Sequence, residues 1–211
     1  MAALLLFLSG DWFWTEGWIF GIWFILTTTS ITIYLYFRDP ALLAERFRKP
    51  GTGDQKSWDK IFFAVFMVFY LGWLVIIPFD SKRFKWTTQY PVTLKYIGGV
   101  FLLLSVFFLF RSFTDNTFLS PLVRIQKERN QQLVTTGIYG FVRHPMYLGG
   151  ILMFLGAPLL MGSFFGLGLG LLMTILFGVR TLGEEKMLLE EFGDYAKYKQ
   201  KVKYRFIPFV W

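Results

Sequence analysis

The residues that could do chemistry are few and lie late in the chain. The single histidine, His144, sits in the stretch GIYGFVRHPMYLGG, residues 137–150, between Arg143 and Pro145. Further on, Arg180, Glu184 and Glu185 stand where a second apolar stretch ends. An imidazole or a guanidinium can bind a carboxylate, and glutamates can accept from hydroxyls or amines. Tyr139, Tyr147 and Tyr195 offer aromatic faces that can enclose a cation. The carboxylates could face inward to hold a cationic or hydroxyl-bearing ligand. Each of these groups also has a plainer role. Arg143 and His144 can anchor a membrane helix at its interface, with Tyr139 and Tyr147 as belt aromatics. Arg180 and Glu184, four apart, can form an intrahelical ion pair worth a few tenths of a kcal/mol. Helical geometry alone favours that pair.

Which role applies depends on the elements that carry these residues. Of 211 residues, 55% are hydrophobic and 17% charged, with 26 phenylalanines. Soluble domains carry about a quarter charged residues, so this balance predicts an integral membrane protein. No linker or low-complexity tract divides the chain, which predicts one domain over 1–211: three N-terminal spans in 1–113, then a polar loop, a helical hairpin and a tail in 114–211. Cysteine is absent, which excludes a disulfide framework, a thiolate metal site and a catalytic thiol. No metal is expected. The opening MAALLLFLSG is apolar without a basic lead-in, so a cleaved signal peptide is not expected.

Uncharged, aromatic-rich runs over Trp18–Phe37, Ile61–Phe79 and Pro91–Phe110 are each long enough to cross a bilayer, given a requirement of about 20 residues. Lys95 interrupts the third near one end, where it can snorkel. The run Pro145–Val179 would reach roughly 50 Å as one helix, against a hydrocarbon core of about 30 Å. Gly162-Ser163 predicts a turn there and two short helices. The expected fold is therefore all-α: a polytopic membrane protein of about five transmembrane helices with a cytoplasmic C-terminal helical cap. The string GLGLG lacks the strand–turn–helix setting of a dinucleotide fingerprint. Gly162, Gly166 and Gly170 recur every four residues, which suits close helix packing in a membrane.

The formal charge of +8 is distributed by side of the membrane, which argues against a nucleic-acid partner. Basic residues crowd the loop after the first span (Arg38 to Lys60), the loop after the third (Arg111 to Arg143) and the tail (Arg180 to Arg205), whereas the opposite side carries Lys82, Arg83, Lys85 and the flanking Lys95. The positive-inside rule then puts the N-terminus outside and the tail, with the candidate site, in the cytoplasm. Asp115–Tyr147 is too long for a simple turn, a mark of a functional loop. In the tail, Leu188 and Phe192 lie one turn apart, Gly193 reads as a helix stop and Asp194 as a new N-cap. Tyr195, Tyr198 and Val202 share one face of a second helix, expected on the membrane surface and ended by Pro208.

The ordered set RHPMY (Arg143–Tyr147), apolar hairpin and Glu184-Glu185 resembles the cofactor-binding pattern of the integral membrane methyltransferases, which include isoprenylcysteine carboxyl methyltransferases and phospholipid methyltransferases. The lead-in TTGIYGFV and the tail LLEEFGDYAKYKQKVKYRFIP are similar to that family too. The resemblance runs from about Asp115 to the C-terminus and extends faintly over the first three spans. It implies an S-adenosylmethionine-dependent enzyme without a soluble Rossmann domain, its cofactor in a cytoplasmic pocket roofed by the tail and floored by the hairpin. Carried over by position, His144, Tyr147 and Glu185 would line that pocket, with Gly137, Tyr139, Arg143, Leu148 and Tyr195 beside them. Glu184 would join them or orient Arg180.

Methyl transfer is an in-line displacement, so the protein's contribution is positioning and partial desolvation of the acceptor. A carboxylate acceptor, with pKa near 4, is already ionised; an amine, near 10, calls for a base such as Glu184. With Arg180 as a clamp and no dedicated base, the residues tilt toward a lipophilic or prenyl-type acid entering from the bilayer among membrane lipids. A phospholipid amine or a hydrophobic thiol is the alternative acceptor. A sterol-reductase-like enzyme using NADPH is the alternative class, since those C-termini resemble YAKYKQKVKYRFIP. A non-enzymatic membrane scaffold ranks last, because it leaves the polar loop, His144 and the glutamate pair without a shared purpose.

Overall fold

The computed structural model describes residues 1–51, 54–207 and 210–211. Pro208, expected to end the tail pattern, lies outside the described residues, as do Thr52, Gly53 and Phe209. The described residues form helices α1 (Ala2–Ser9), α2 (Thr15–Arg38), α3 (Pro40–Arg46), α4 (Ser57–Pro78), α5 (Val92–Asp115), α6 (Pro145–Met161), α7 (Phe164–Glu191) and α8 (Tyr195–Lys201), with no strand among them.

Four of these helices are long and apolar enough to cross a membrane: α2, α4 with the π turn that continues it to Arg83, α5 and α7. The all-α polytopic reading holds, and its spans correspond to these helices. The hairpin differs in its proportions. α6 is an apolar helix of 17 residues, at the short end of spanning length. α7 runs for 28, because its last turns continue beyond the apolar stretch and carry Arg180, Glu184 and Glu185. The turn between them is at Gly162-Ser163, as expected. Gly162 has φ +79°, a left-handed conformation that glycine adopts without a Cβ penalty, and Ser163 Oγ caps α7 by accepting from the Gly166 amide at 2.9 Å.

Helices in lipid gain little from the hydrophobic effect on meeting one another, so small residues and interhelical hydrogen bonds carry the packing. A Cβ at Gly166 would collide with Ile77, and one at Gly170 with the Phe154 carbonyl, so these two glycines serve close packing, whereas Gly162, expected to join them, serves the turn instead. Ser105 Oγ donates to the Gly149 carbonyl at 2.7 Å and ties α5 to α6. Asp80, fully buried in the π turn, accepts from Thr87 Oγ1 at 2.8 Å and Ser163 Oγ at 2.6 Å, fastening the end of α4 to the hairpin turn. An aromatic ladder descends through the bundle from Trp73 on Phe154 (5.4 Å between centroids) through Phe66 on Phe177 (5.2 Å) to Tyr147 on Phe177 (5.0 Å). It ends under the candidate site.

The sequence reading did not anticipate two elements. α1 folds back so that Leu5 and Leu6, both fully buried, join Trp14, Phe20 and Ile77 in the core. α3 follows α2 directly because Asp39 ends one helix and caps the next, its Oδ1 accepting from the Leu42 amide at 2.9 Å ahead of Pro40 in the first turn. The apolar face shared by Tyr195, Tyr198 and Val202 on α8 packs on Leu133, Leu188 and Phe192.

Candidate active site

The long segment 116–134 closes over the helix ends because it carries its own ionic anchor. The Arg124 side chain is almost wholly buried and donates to Glu45 Oε2 at 2.8 Å, to Asp54 Oδ1 at 3.2 Å and to Glu128. Burial works to raise the Glu45 carboxyl, but hydrogen bonds from Arg124 and Ser120 outweigh it and hold that carboxyl below its ordinary range. The Val123 amide donates to Asp59 Oδ2 at 2.9 Å, pinning the segment to α4. The tail pairs with the start of α6 in a short backbone ladder: the Arg143 amide donates to the Tyr204 carbonyl at 3.0 Å and the His144 amide to the Arg205 carbonyl at 2.9 Å.

Between that segment, the tail and the hairpin lies a cavity of about 810 Å³, counted to its open mouth. Tyr139, Arg143, His144, Tyr147, Glu184 and Tyr195 all line it. Six of the ten residues singled out from the sequence therefore meet at one cavity wall. Glu185 stands directly behind that wall and gathers cations. Its Oε1 accepts from Arg143 Nε at 2.7 Å, its Oε2 from Arg205 Nε at 3.1 Å, and Lys199 Nζ lies 3.7 Å away. Arg143 is fixed a second time by donating from Nη1 to the Val202 carbonyl at 2.6 Å. The His144 ring stacks on Tyr147 at 5.5 Å and 8°.

Two buried polar atoms in this wall have no hydrogen-bond partner among the described residues: His144 Nε2 and Tyr195 Oη. His144 Nε2 comes within 3.4 Å of Glu185 Oε1 without bonding geometry. Tyr195 is almost completely buried, and burial, aided by Glu185 and Glu184, pushes its hydroxyl well above the usual phenol range. Tyr139 is raised by burial in the same way. Both remain protonated donors at neutral pH. Buried polar atoms left without partners cost free energy unless something else satisfies them, so His144 Nε2 and Tyr195 Oη fit a polar ligand in the cavity.

Arg180 has partners that local spacing did not suggest. It forms no ion pair with Glu184 among the described residues; Glu184 Oε2 accepts from Tyr147 Oη at 2.6 Å instead. The Arg180 guanidinium donates from Nε to Asp59 Oδ1 at 2.9 Å and from Nη2 to the Pro121 carbonyl at 2.6 Å. It also rests over Phe62, 4.7 Å from the ring centroid, behind Tyr147 and off the cavity lining. Leu148 belongs to the core beneath the site. Gly137, with φ +60°, leaves room for Asp115, whose Oδ2 accepts from the Ile138 amide at 2.7 Å; neither residue lines the cavity. Sequence reasoning missed Asp59, Arg205 and Tyr198, whose Oη donates to the Tyr139 carbonyl at 2.7 Å. Arg205 stands in a tail string that carried the family resemblance; Asp59 had no local signal.

Comparison with known proteins finds relatives for this part of the chain. The family model described as Phospholipid methyltransferase matches residues 94–195, from α5 to the start of α8. The chain is 39% identical over 85 residues to a protein named Protein-S-isoprenylcysteine O-methyltransferase from Schizosaccharomyces pombe, a match covering 39% of this chain and 36% of that protein. It is 27% identical over 143 residues to Protein-S-isoprenylcysteine O-methyltransferase B of Arabidopsis thaliana, covering 67% of this chain and 68% of the other. With the Homo sapiens Protein-S-isoprenylcysteine O-methyltransferase the identity is 31% over 100 residues, 46% of this chain and 35% of that one. The chain thus spans little more than a third of the yeast and human relatives and about two thirds of the plant one. The ordered motif, the helical membrane fold and these matches agree in one respect: over its C-terminal half the chain is similar to proteins described as phospholipid methyltransferases and isoprenylcysteine O-methyltransferases.

Proposed function

We propose that this protein methylates a lipophilic acid of the isoprenylcysteine type, using S-adenosylmethionine bound in the cavity between the tail and the hairpin. The observation that carries the reading is the pair of unpartnered buried groups, His144 Nε2 and Tyr195 Oη, in a wall that also presents Glu184 and the face of Tyr147. That donor and acceptor set suits a ligand bearing a carboxylate, an amine, hydroxyls and a sulfonium. When bound, the cofactor supplies an electrophilic methyl group carried on that sulfonium. The protein's own groups bind, orient and exclude water. Tyr195 Oη and His144 Nε2 donate, Glu184 accepts, and the Tyr139 and Tyr147 rings screen the cation from solvent. Glu185 acts through others: it holds Arg143, Arg205 and the neighbourhood of His144 in place and is a positioning residue.

A carboxylate acceptor needs no proton removed, which matches a wall without a dedicated base. An amine acceptor, suggested by the name of the matching family model, would need one. The Glu184–Tyr147 couple at 2.6 Å is the candidate base in that case. The distribution of basic residues supports a cytoplasmic site and tail with the N-terminus outside, and the apolar helices support an acceptor that arrives through the bilayer.

Incubation of the purified protein with methyl-labelled S-adenosylmethionine tests the reading, with N-acetyl-S-farnesylcysteine and phosphatidylethanolamine vesicles as parallel acceptors. Base-labile ester on the farnesylated acid is the expected product. Label on the lipid amine would move the reading to the second acceptor, and label on neither would overturn the acid-acceptor reading.

A further inference from the structure

A second cleft, holding about 780 Å³ counted to its open mouth, lies beside the first and is lined by residues of α2, α3, α5 and α6. Along α2 the lining runs from Trp23 to Leu35, roughly 18 Å of helix, a length suited to an extended chain. The wall is apolar despite its threonines. Thr28 Oγ1 donates to the Phe24 carbonyl at 2.7 Å and Thr32 Oγ1 to the Thr28 carbonyl at 2.8 Å, so their hydroxyls turn back onto the helix. Met146 lines both cavities.

At the α3 end of this cleft stands Arg46. The neighbouring arginines have acidic partners: Arg124 with Glu45, Arg143 and Arg205 with Glu185, and Arg180 with Asp59. Arg46 forms no ion pair among the described residues. It rests over the Phe113 ring at 5.0 Å and donates one long bond, 3.5 Å, to the carbonyl of Leu119, a residue that lines the first cavity. Burial, followed by the charge of Arg180, pushes its guanidinium down to about 10 from the ordinary arginine range. A cation set among apolar walls without a counter-charge is costly and favours an anion that brings its own apolar body.

Building on the methyltransferase reading above, we propose that this cleft takes the acceptor's apolar chain while Arg46 binds the acceptor's carboxylate at the α3 end, where Met146 and Leu119 open onto the first cavity. The clamp role expected of Arg180 falls to Arg46 on this account, because Asp59 and the Pro121 carbonyl already occupy two edges of the Arg180 guanidinium. The acceptor class follows from the site: a single-chain amphiphile ending in one carboxylate. A planar guanidinium can meet such a group with two parallel bonds.

The test is equilibrium binding, measured without turnover. Titrate the detergent-purified protein with N-acetyl-S-farnesylcysteine and, separately, with its uncharged carboxamide. A charge-assisted contact gives the wild type a preference for the acid of about tenfold or more. Arg46→Gln brings that ratio to near unity, Arg46→Lys restores part of it, and affinity for S-adenosylhomocysteine stays within about twofold in both, which also reports an intact fold. Retention of the full acid preference in Arg46→Gln would overturn the assignment. A wild type that binds S-adenosylhomocysteine but does not prefer the acid also overturns it, while leaving the methyltransferase reading standing. A wild type that binds neither ligand overturns both.

Discussion

Glu185 Oε1 and Arg143 Nε lie 2.7 Å apart with both side chains almost fully buried, and this contact joins the end of α7 to the residue that precedes the site histidine. The same carboxylate takes Arg205 from the tail on its other oxygen. One glutamate thus fixes floor, wall and roof relative to one another. That arrangement makes the cavity's shape depend on a residue outside its lining.

Glu185→Gln is expected to weaken S-adenosylhomocysteine binding by one to two orders of magnitude, since a neutral amide leaves the buried Arg143 guanidinium and the half-buried Arg205 guanidinium short of charge. It is also expected to loosen the tail, read as faster proteolysis C-terminal to Lys199. Weakened binding with an unchanged digestion rate would instead place Glu185 in direct contact with the ligand.

Tyr195→Phe separates ligand binding from folding. The hydroxyl has no partner among the described residues, so removing it is expected to leave the melting temperature unchanged or slightly raised. Affinity for S-adenosylhomocysteine should fall about tenfold. A lower melting temperature with intact affinity would mean that the hydroxyl serves the fold.

Asp59 and Arg180 form a buried pair 121 residues apart in sequence. Breaking such a pair from one side costs about 3–5 kcal/mol, whereas replacing both partners by apolar groups costs far less. Arg180→Met alone should lower the melting temperature strongly, and Asp59→Leu with Arg180→Met should recover much of the loss. Additive losses in the double variant would show that the two residues act independently.

The chain contains no cysteine, so introduced thiols report membrane sidedness cleanly. Single cysteines at Lys60 and Lys127 should be labelled from the cytoplasmic face and one at Thr88 from the other. Labelling of Thr88 and Lys127 from one side would contradict the arrangement of α4 and α5.

Local signals in the sequence are legible where chemistry and chain geometry coincide. Gly162-Ser163 announces its turn because a left-handed residue followed by a hydroxyl cap needs those residue types. RHPMY and the glutamate pair meet because α6 and α7 form one hairpin, which brings the start of one helix beside the end of the other. Arg180 shows the limit. Spacing offered Glu184, one turn away, but Asp59 on α4 takes the guanidinium and Tyr147 takes the carboxylate. A long-range partner outcompetes the local one, and no periodicity reports it. Arg46 was equally silent: among the many basic residues of its loop, only the packing of α3 against α2 and Phe113 sets it apart.

The central claim is that the cavity under the tail holds S-adenosylmethionine. Calorimetric titration of the purified full chain with S-adenosylhomocysteine, and in parallel with NADPH, tests it most directly. The account predicts saturable binding of S-adenosylhomocysteine at one site per chain, weakened in Tyr195→Phe and Glu185→Gln, with no heat from NADPH beyond dilution. Saturable binding of NADPH with none of S-adenosylhomocysteine would contradict it.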